Sequence, residues 1–119
     1  MNGGIVDQRR WLLDGATGTE LARRGVEVSG SMWASAAVRE APEIVRAVHA
    51  DYLRAGADSI TSNTFRAHER SFQRAGLGER VDDIVREAVH LAQAARDDVN
   101  PDALVAGSVG PLEDCYQPN

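Results

Sequence analysis

The chain has 119 residues, 43% hydrophobic and 26% charged, which suits one small globular domain and excludes a low-complexity composition. A net charge of −5 argues against nucleic acid or an anionic membrane surface as a partner, and no apolar stretch reaches the roughly 20 residues that span a bilayer. The opening "MNGGIVDQRR" lacks the apolar centre of a signal peptide and the single cysteine, Cys115, cannot form an internal disulfide, so a cytoplasmic setting is expected.

Trp11-Leu12-Leu13 is a short apolar run bounded by Arg10 and Asp14, which predicts a buried strand. "PEIVRAVHADYLRAGA" follows with helical spacing of Ile44, Val45, Val48, Tyr52 and Leu53. Pro42 suits its first position, Glu43 suits the positive end of the helix dipole, and Gly56 is a stop. A second strand is expected over Ser59–Ser62, and a short helix over Glu69–Arg74 that ends near Gly76. A longer helix is expected from about Glu79 to Asp98. Its apolar stripe is Val81, Ile84, Val85, Ala88, Ala92, Ala95 and Val99, and Asn100-Pro101 closes it. "ALVAGSVG" then gives a third strand, Leu104–Val109.

Strand, helix, strand, helix, strand is the pattern of βαβ units around a parallel sheet. The strand ends are alike: Asp14-Gly15-Ala16-Thr17, Ser62-Asn63-Thr64 and Gly107-Ser108-Val109-Gly110 all turn polar or small where the apolar run stops. In parallel α/β folds the C-terminal strand ends lie together and carry the ligand site. Each strand-plus-helix unit uses roughly 45 residues here, so the chain holds about three units. A closed eight-unit barrel needs typically about 250 residues. The expectation is either a small open α/β domain or the front part of something larger.

"LLDGATGTELARRGV", "MWASAAVREAPEIVRAVHADYLRAGADSITSNTFRA" and "VAGSVGPLEDCYQP" resemble, in order and spacing, the N-terminal part of the homocysteine S-methyltransferase family. That family includes betaine–homocysteine methyltransferase and the homocysteine domain of cobalamin-dependent methionine synthase. The resemblance runs from about Trp11 to Pro118. It implies that residues 1–119 are a partial (βα)8 TIM barrel, cut before its second half. It implies an enzyme that moves a methyl group from a donor to the thiolate of homocysteine and yields methionine. It implies a zinc ion, held by three cysteine thiolates, that binds the substrate sulfur and lowers its pKa. The family's zinc cysteines lie in segments that this chain does not contain, and Cys115 matches none of them. By the same resemblance, Asp14 meets the substrate's ammonium and the backbone at Gly15 lies near its carboxylate. Asn63 and Phe65 belong to the strand end beside the substrate, and Trp33 lies over the site. The methyl donor is not specified. The implied partners are homocysteine, a methyl donor, and either further copies of the chain or a complementing C-terminal fragment.

Each residue also has a plainer reading. Asp14-Gly15 serves equally as a turn and helix cap, Asn63 as a turn residue, Trp33 as core or lid packing, and Ser108 and Gly110 as loop. Cys115 reads as an inert thiol. His49, one position off an apolar stripe, and His90 read as surface residues. His68 follows the second strand end, where a surface position is the simpler expectation. No metal-ligand spacing, Walker loop or dinucleotide fingerprint occurs. The alternative from a different class is a non-catalytic α/β module that binds a small amino acid, or a partner subunit of a split enzyme.

Overall fold

A computed structural model describes residues 9–112. The elements in chain order are α1 (Gly18–Arg23), a 3-10 turn (Trp33–Ala36) running into α2 (Ala37–Glu40), α3 (Pro42–Arg54), β1 (Ser59–Thr61), α4 (Glu69–Arg74), a 3-10 turn (Gly78–Arg80), α5 (Val81–Val99) and β2 (Leu104–Ala106). β1 and β2 pair in parallel, with Ser59 opposite Leu104, Ile60 opposite Val105 and Thr61 opposite Ala106. Parallel neighbours cannot be joined by a tight turn, so the chain crosses back through α4 and α5 before it reaches β2.

The Trp11–Leu13 run does not form the expected buried strand. It makes one parallel bridge, Leu13 to Ser59, and Leu12 and Leu13 are 55% and 68% exposed. Apolar sequence alone does not bury a strand; a layer must cover it, and none of the described residues does so here. What fixes this segment is polar. The Leu12 amide donates to Asp58 Oδ2 and the Thr61 amide donates to Asp14 Oδ2, both at 2.8 Å. Backbone bonds from Asp58 N to Leu12 O and from Asp14 N to Ser59 O lie between these clamps. The Leu12 amide and the Arg9 guanidinium hold the Asp58 carboxyl below its ordinary value. The other two strands are also shorter than expected. Ser62 extends the ladder by one amide to Ala106 O, while Gly107–Gly110 leaves it.

The helices form as their patterns require. Pro42 opens α3. α5 carries the stripe Ile84, Ala88, Ala92, Ala95 inward, and its alanines let it approach α3 and the sheet closely. Three apolar clusters result. Ala50, Leu53 and Ile60 meet Ala92, Ala95 and Ala103. Phe72 gathers Met32, Val38, Ile84 and Ala88, and Leu21 gathers Ala37, Val45 and Val48. His49 corrects the surface reading. α3 is covered by α5 on one side and by α1 and α2 on others, so its buried face is wider than one stripe, and His49 is 1% exposed. Neither of its ring nitrogens has a hydrogen-bond partner among the described residues. Burial holds its pKa below the ordinary value, against the opposing pull of the Asp14 charge. His68 is half-buried and caps α4, its Nδ1 accepting from the Ser71 amide at 3.2 Å. His90 is exposed. Cys115 lies outside the described residues.

Candidate functional site

The ends of the parallel segments meet at one cleft of about 460 Å³. Gly15 to Thr19 line it from the first segment, Thr61, Ser62, Asn63, Phe65 and Arg66 from the end of β1, Ser108 from beyond β2, and Trp33 to Ser35 from the 3-10 turn. Of the five residues singled out in the sequence, Gly15, Trp33, Asn63 and Phe65 line this cleft. Asp14 does not line it. Its carboxylate stands behind the wall, where Oδ2 accepts from the Thr61 amide and Oδ1 accepts from Thr61 Oγ1 at 3.1 Å.

Each wall has a local cause. Gly15 lies against Tyr52, and a Cβ there would sit 2.9 Å from the phenol oxygen. The Tyr52 hydroxyl donates to Ala16 O at 2.7 Å and so fixes the loop that leads into α1. Burial raises the Tyr52 pKa, so the phenol keeps the proton it donates. α1 begins at Gly18 without a side-chain cap, which leaves its first amides beside the cleft. Asn63 is buried, and its Nδ2 donates to Ala34 O at 2.8 Å, tying the end of β1 to the turn that carries Trp33. Trp33 has φ of +51°, an uncommon backbone state for a bulky residue that costs on the order of 1–3 kcal/mol. Such strain persists only where neighbours over-determine it, and the Asn63 clamp is one of them. Thr64 Oγ1 donates to Ser108 O at 2.8 Å and closes the third wall. Gly110 packs on Phe65, where any Cβ would run into the Phe65 carbonyl.

Among the lining residues that the sequence did not single out, one is charged. Arg66 is 7% exposed, with its guanidinium carbon 4.0 Å from the Trp33 ring centroid and 5.9 Å from that of Phe65. An arginine directly after a strand-end Asn-Thr-Phe was the available signal. His68 faces a smaller neighbouring cavity of about 260 Å³, with Val109 and Gly110. Among the described residues no group of three or more His, Cys, Asp or Glu could hold a metal ion. No helix among them is long and apolar enough to cross a membrane.

A parallel α/β unit whose strand ends meet at a cleft with a buried amide, backbone amides and one arginine defines a class: an α/β protein with a cleft at the C-terminal strand ends. Residues 11–119 match the family model described as homocysteine S-methyltransferase, and the chain belongs to that family. The homocysteine S-methyltransferase of Escherichia coli (strain K12) is 42% identical over 107 residues, covering 84% of this chain and 34% of that protein. Homocysteine S-methyltransferase 4 of Zea mays is 37% identical over 111 residues, covering 83% of this chain and 32% of that protein. The crystal structure of the metallated homocysteine methyltransferase MmuM from Escherichia coli superposes with a TM-score of 0.79 at 39% identity, over 87% of this chain and 39% of that one. The chain thus spans about a third of the length of the curated relatives it matches.

Proposed function

We propose that this chain supplies the amino-acid-binding strand ends of a homocysteine S-methyltransferase and corresponds to the first units of a (βα)8 barrel. The observation that carries the reading is the cleft itself, formed where Gly15, Asn63 and Phe65 meet below Trp33, in a chain whose family acts on homocysteine. An amino-acid head group needs an acceptor for its ammonium and donors for its carboxylate. Backbone amides from Gly15 onward are the donors nearest to hand. Asp14 stands behind the cleft wall, so its role as acceptor requires its carboxylate to be reached past Thr61; each of its oxygens takes one donor from Thr61 and keeps a further lone pair for that contact. A zinc ion held by three thiolates does not fit the residues present. The chain has one cysteine, and the described residues offer no ligand cluster. No step of methyl transfer is therefore assigned to this chain alone. That same mismatch favours, as the second reading, an amino-acid-binding module or the partner subunit of a split enzyme.

Calorimetric titration of L-homocysteine into the purified full chain tests the proposal. Saturable binding is expected, weakened roughly tenfold or more by Asp14→Asn, because a hydrogen bond to a charged group contributes about 1.5–3 kcal/mol. Circular dichroism is expected to show the variant folded, since the amide oxygen still accepts from Thr61. Homocysteine binding that is absent, or unchanged by Asp14→Asn, would remove Asp14 and this reading of the cleft.

A further inference from the structure

We propose that the ammonium of an amino-acid ligand in the cleft is received by the Thr61 hydroxyl, whose own proton is already given to Asp14. The inference rests on the amino-acid reading above and names the atom that makes the contact. Thr61 ends β1 and lines the cleft, whereas Asp14 does not. Thr61 Oγ1 lies 3.1 Å from Asp14 Oδ1, and the Thr61 amide donates to Asp14 Oδ2 at 2.8 Å. The residue at the wall is thus bonded twice to the carboxylate behind it.

A hydroxyl has one proton and two lone pairs. A carboxylate has no proton to give, so Thr61 Oγ1 spends its own on Asp14 Oδ1 and keeps only acceptor capacity. The neighbouring hydroxyls are committed in the same way. Thr64 Oγ1 donates to Ser108 O at 2.8 Å, a carbonyl that cannot donate in return. In the 2.8 Å contact between Ser62 and Thr64 the proton therefore comes from Ser62 Oγ. All three hydroxyls at the end of β1 give their protons to the protein, and Thr61 and Ser62 line the cleft. An ammonium brings three donors and no acceptor, which suits such a wall, while a ligand carboxylate would meet lone pairs there. The Asp14 charge favours a cation across one intervening hydroxyl, and a hydroxyl bonded to an anion accepts more strongly.

Calorimetry on the full chain compares L-homocysteine with γ-mercaptobutyrate, which lacks the amino group, in the wild type and in Thr61→Val, Thr61→Ser and Asp14→Asn. Thr61→Val keeps the branched shape that a strand favours and removes the hydroxyl. It is expected to weaken L-homocysteine about tenfold or more and to leave γ-mercaptobutyrate unchanged. Thr61→Ser keeps the hydroxyl and is expected to restore most of the lost affinity. If circular dichroism shows Thr61→Val unfolded, Thr61→Ala carries the same expectation. Equal weakening of both ligands, or no recovery in Thr61→Ser, would reduce Thr61 to packing and overturn the proposal. The two readings separate. Homocysteine binding that falls in Asp14→Asn but not in Thr61→Val means that Asp14 meets the ammonium directly, and sinks this proposal alone. Binding that falls in Thr61→Val but not in Asp14→Asn keeps the hydroxyl contact and sinks the role given to Asp14 alone. A wild type that does not bind homocysteine, or binds γ-mercaptobutyrate just as tightly, sinks both.

Discussion

Where α3 and α5 close on β1, every contact is finished: Ala50, Leu53, Ile60, Ala92, Ala95 and Ala103 are all buried against each other. Around the strand margins the opposite holds. Leu12, Leu13, Leu112 and Val109, the last 95% exposed, are large apolar side chains without a covering layer among the described residues. One region has spent its hydrophobic surface on itself, and the other still presents it. Folding energy and association tendency therefore reside in different parts of the same small molecule, and substitutions should separate them.

The largest effect is expected in the finished region. Phe72 is fully buried among Met32, Val38, Ile84 and Ala88, and Phe72→Ala should cost about 3–5 kcal/mol by urea denaturation. A cost near zero would mean that this cluster is not a cooperative core. A smaller, pH-dependent effect is expected at His49. Its folded pKa lies below the ordinary value near 6.5, so the unfolded chain binds the proton more readily. Stability should be fully present above about pH 6.5 and fall as pH drops below it, with a shallower fall in His49→Leu across that window. Asp14 acts against the shift, and Glu20, Glu27 and Asp58 carry lowered carboxyl pKa values, so those carboxylates titrate in a more acidic range. Identical pH profiles for the two proteins would show that the His49 environment opens without cost. The smallest effect on folding belongs to the unfinished region. Leu13→Ser with Val109→Ser should change unfolding free energy by about 0.5 kcal/mol or less, yet shift sedimentation toward monomer, because the wild type is expected to self-associate at micromolar concentration. A wild type that sediments as a sharp monomer would break the contrast between the two regions.

The sequence made the finished region readable and the unfinished one misleading. Pro42 and the spacing of Val45, Val48 and Leu53 announced α3, and the alanine stripe announced α5, because these apolar positions recur at helical spacing and are buried within the chain. Trp11-Leu12-Leu13 carried the apolar signature of an inner strand, but that signature records a burial the described residues do not supply. His49 was misread because a helix packed on several sides has no clean polar face. α1 was passed over, since "ATGTELARRG" starts in Gly and Thr and no side chain caps it. At the cleft, Gly15, Trp33, Asn63 and Phe65 were legible through family resemblance. Asp14 standing behind the wall and Arg66 lying on Trp33 were not, because both depend on contacts between segments far apart in sequence.

The paired clamps across the first segment have a consequence for how the chain finds its alignment. Asp58 takes the Leu12 amide at one end, and Asp14 takes the Thr61 amide at the other. A slip of one residue would turn each side chain to the opposite face and would strand both carboxylates together. Neither clamp can be kept while the other is lost. With only one ladder bridge to record the correct pairing, the two aspartates act as a checksum: the segment either docks in the right register with both satisfied or does not dock at all.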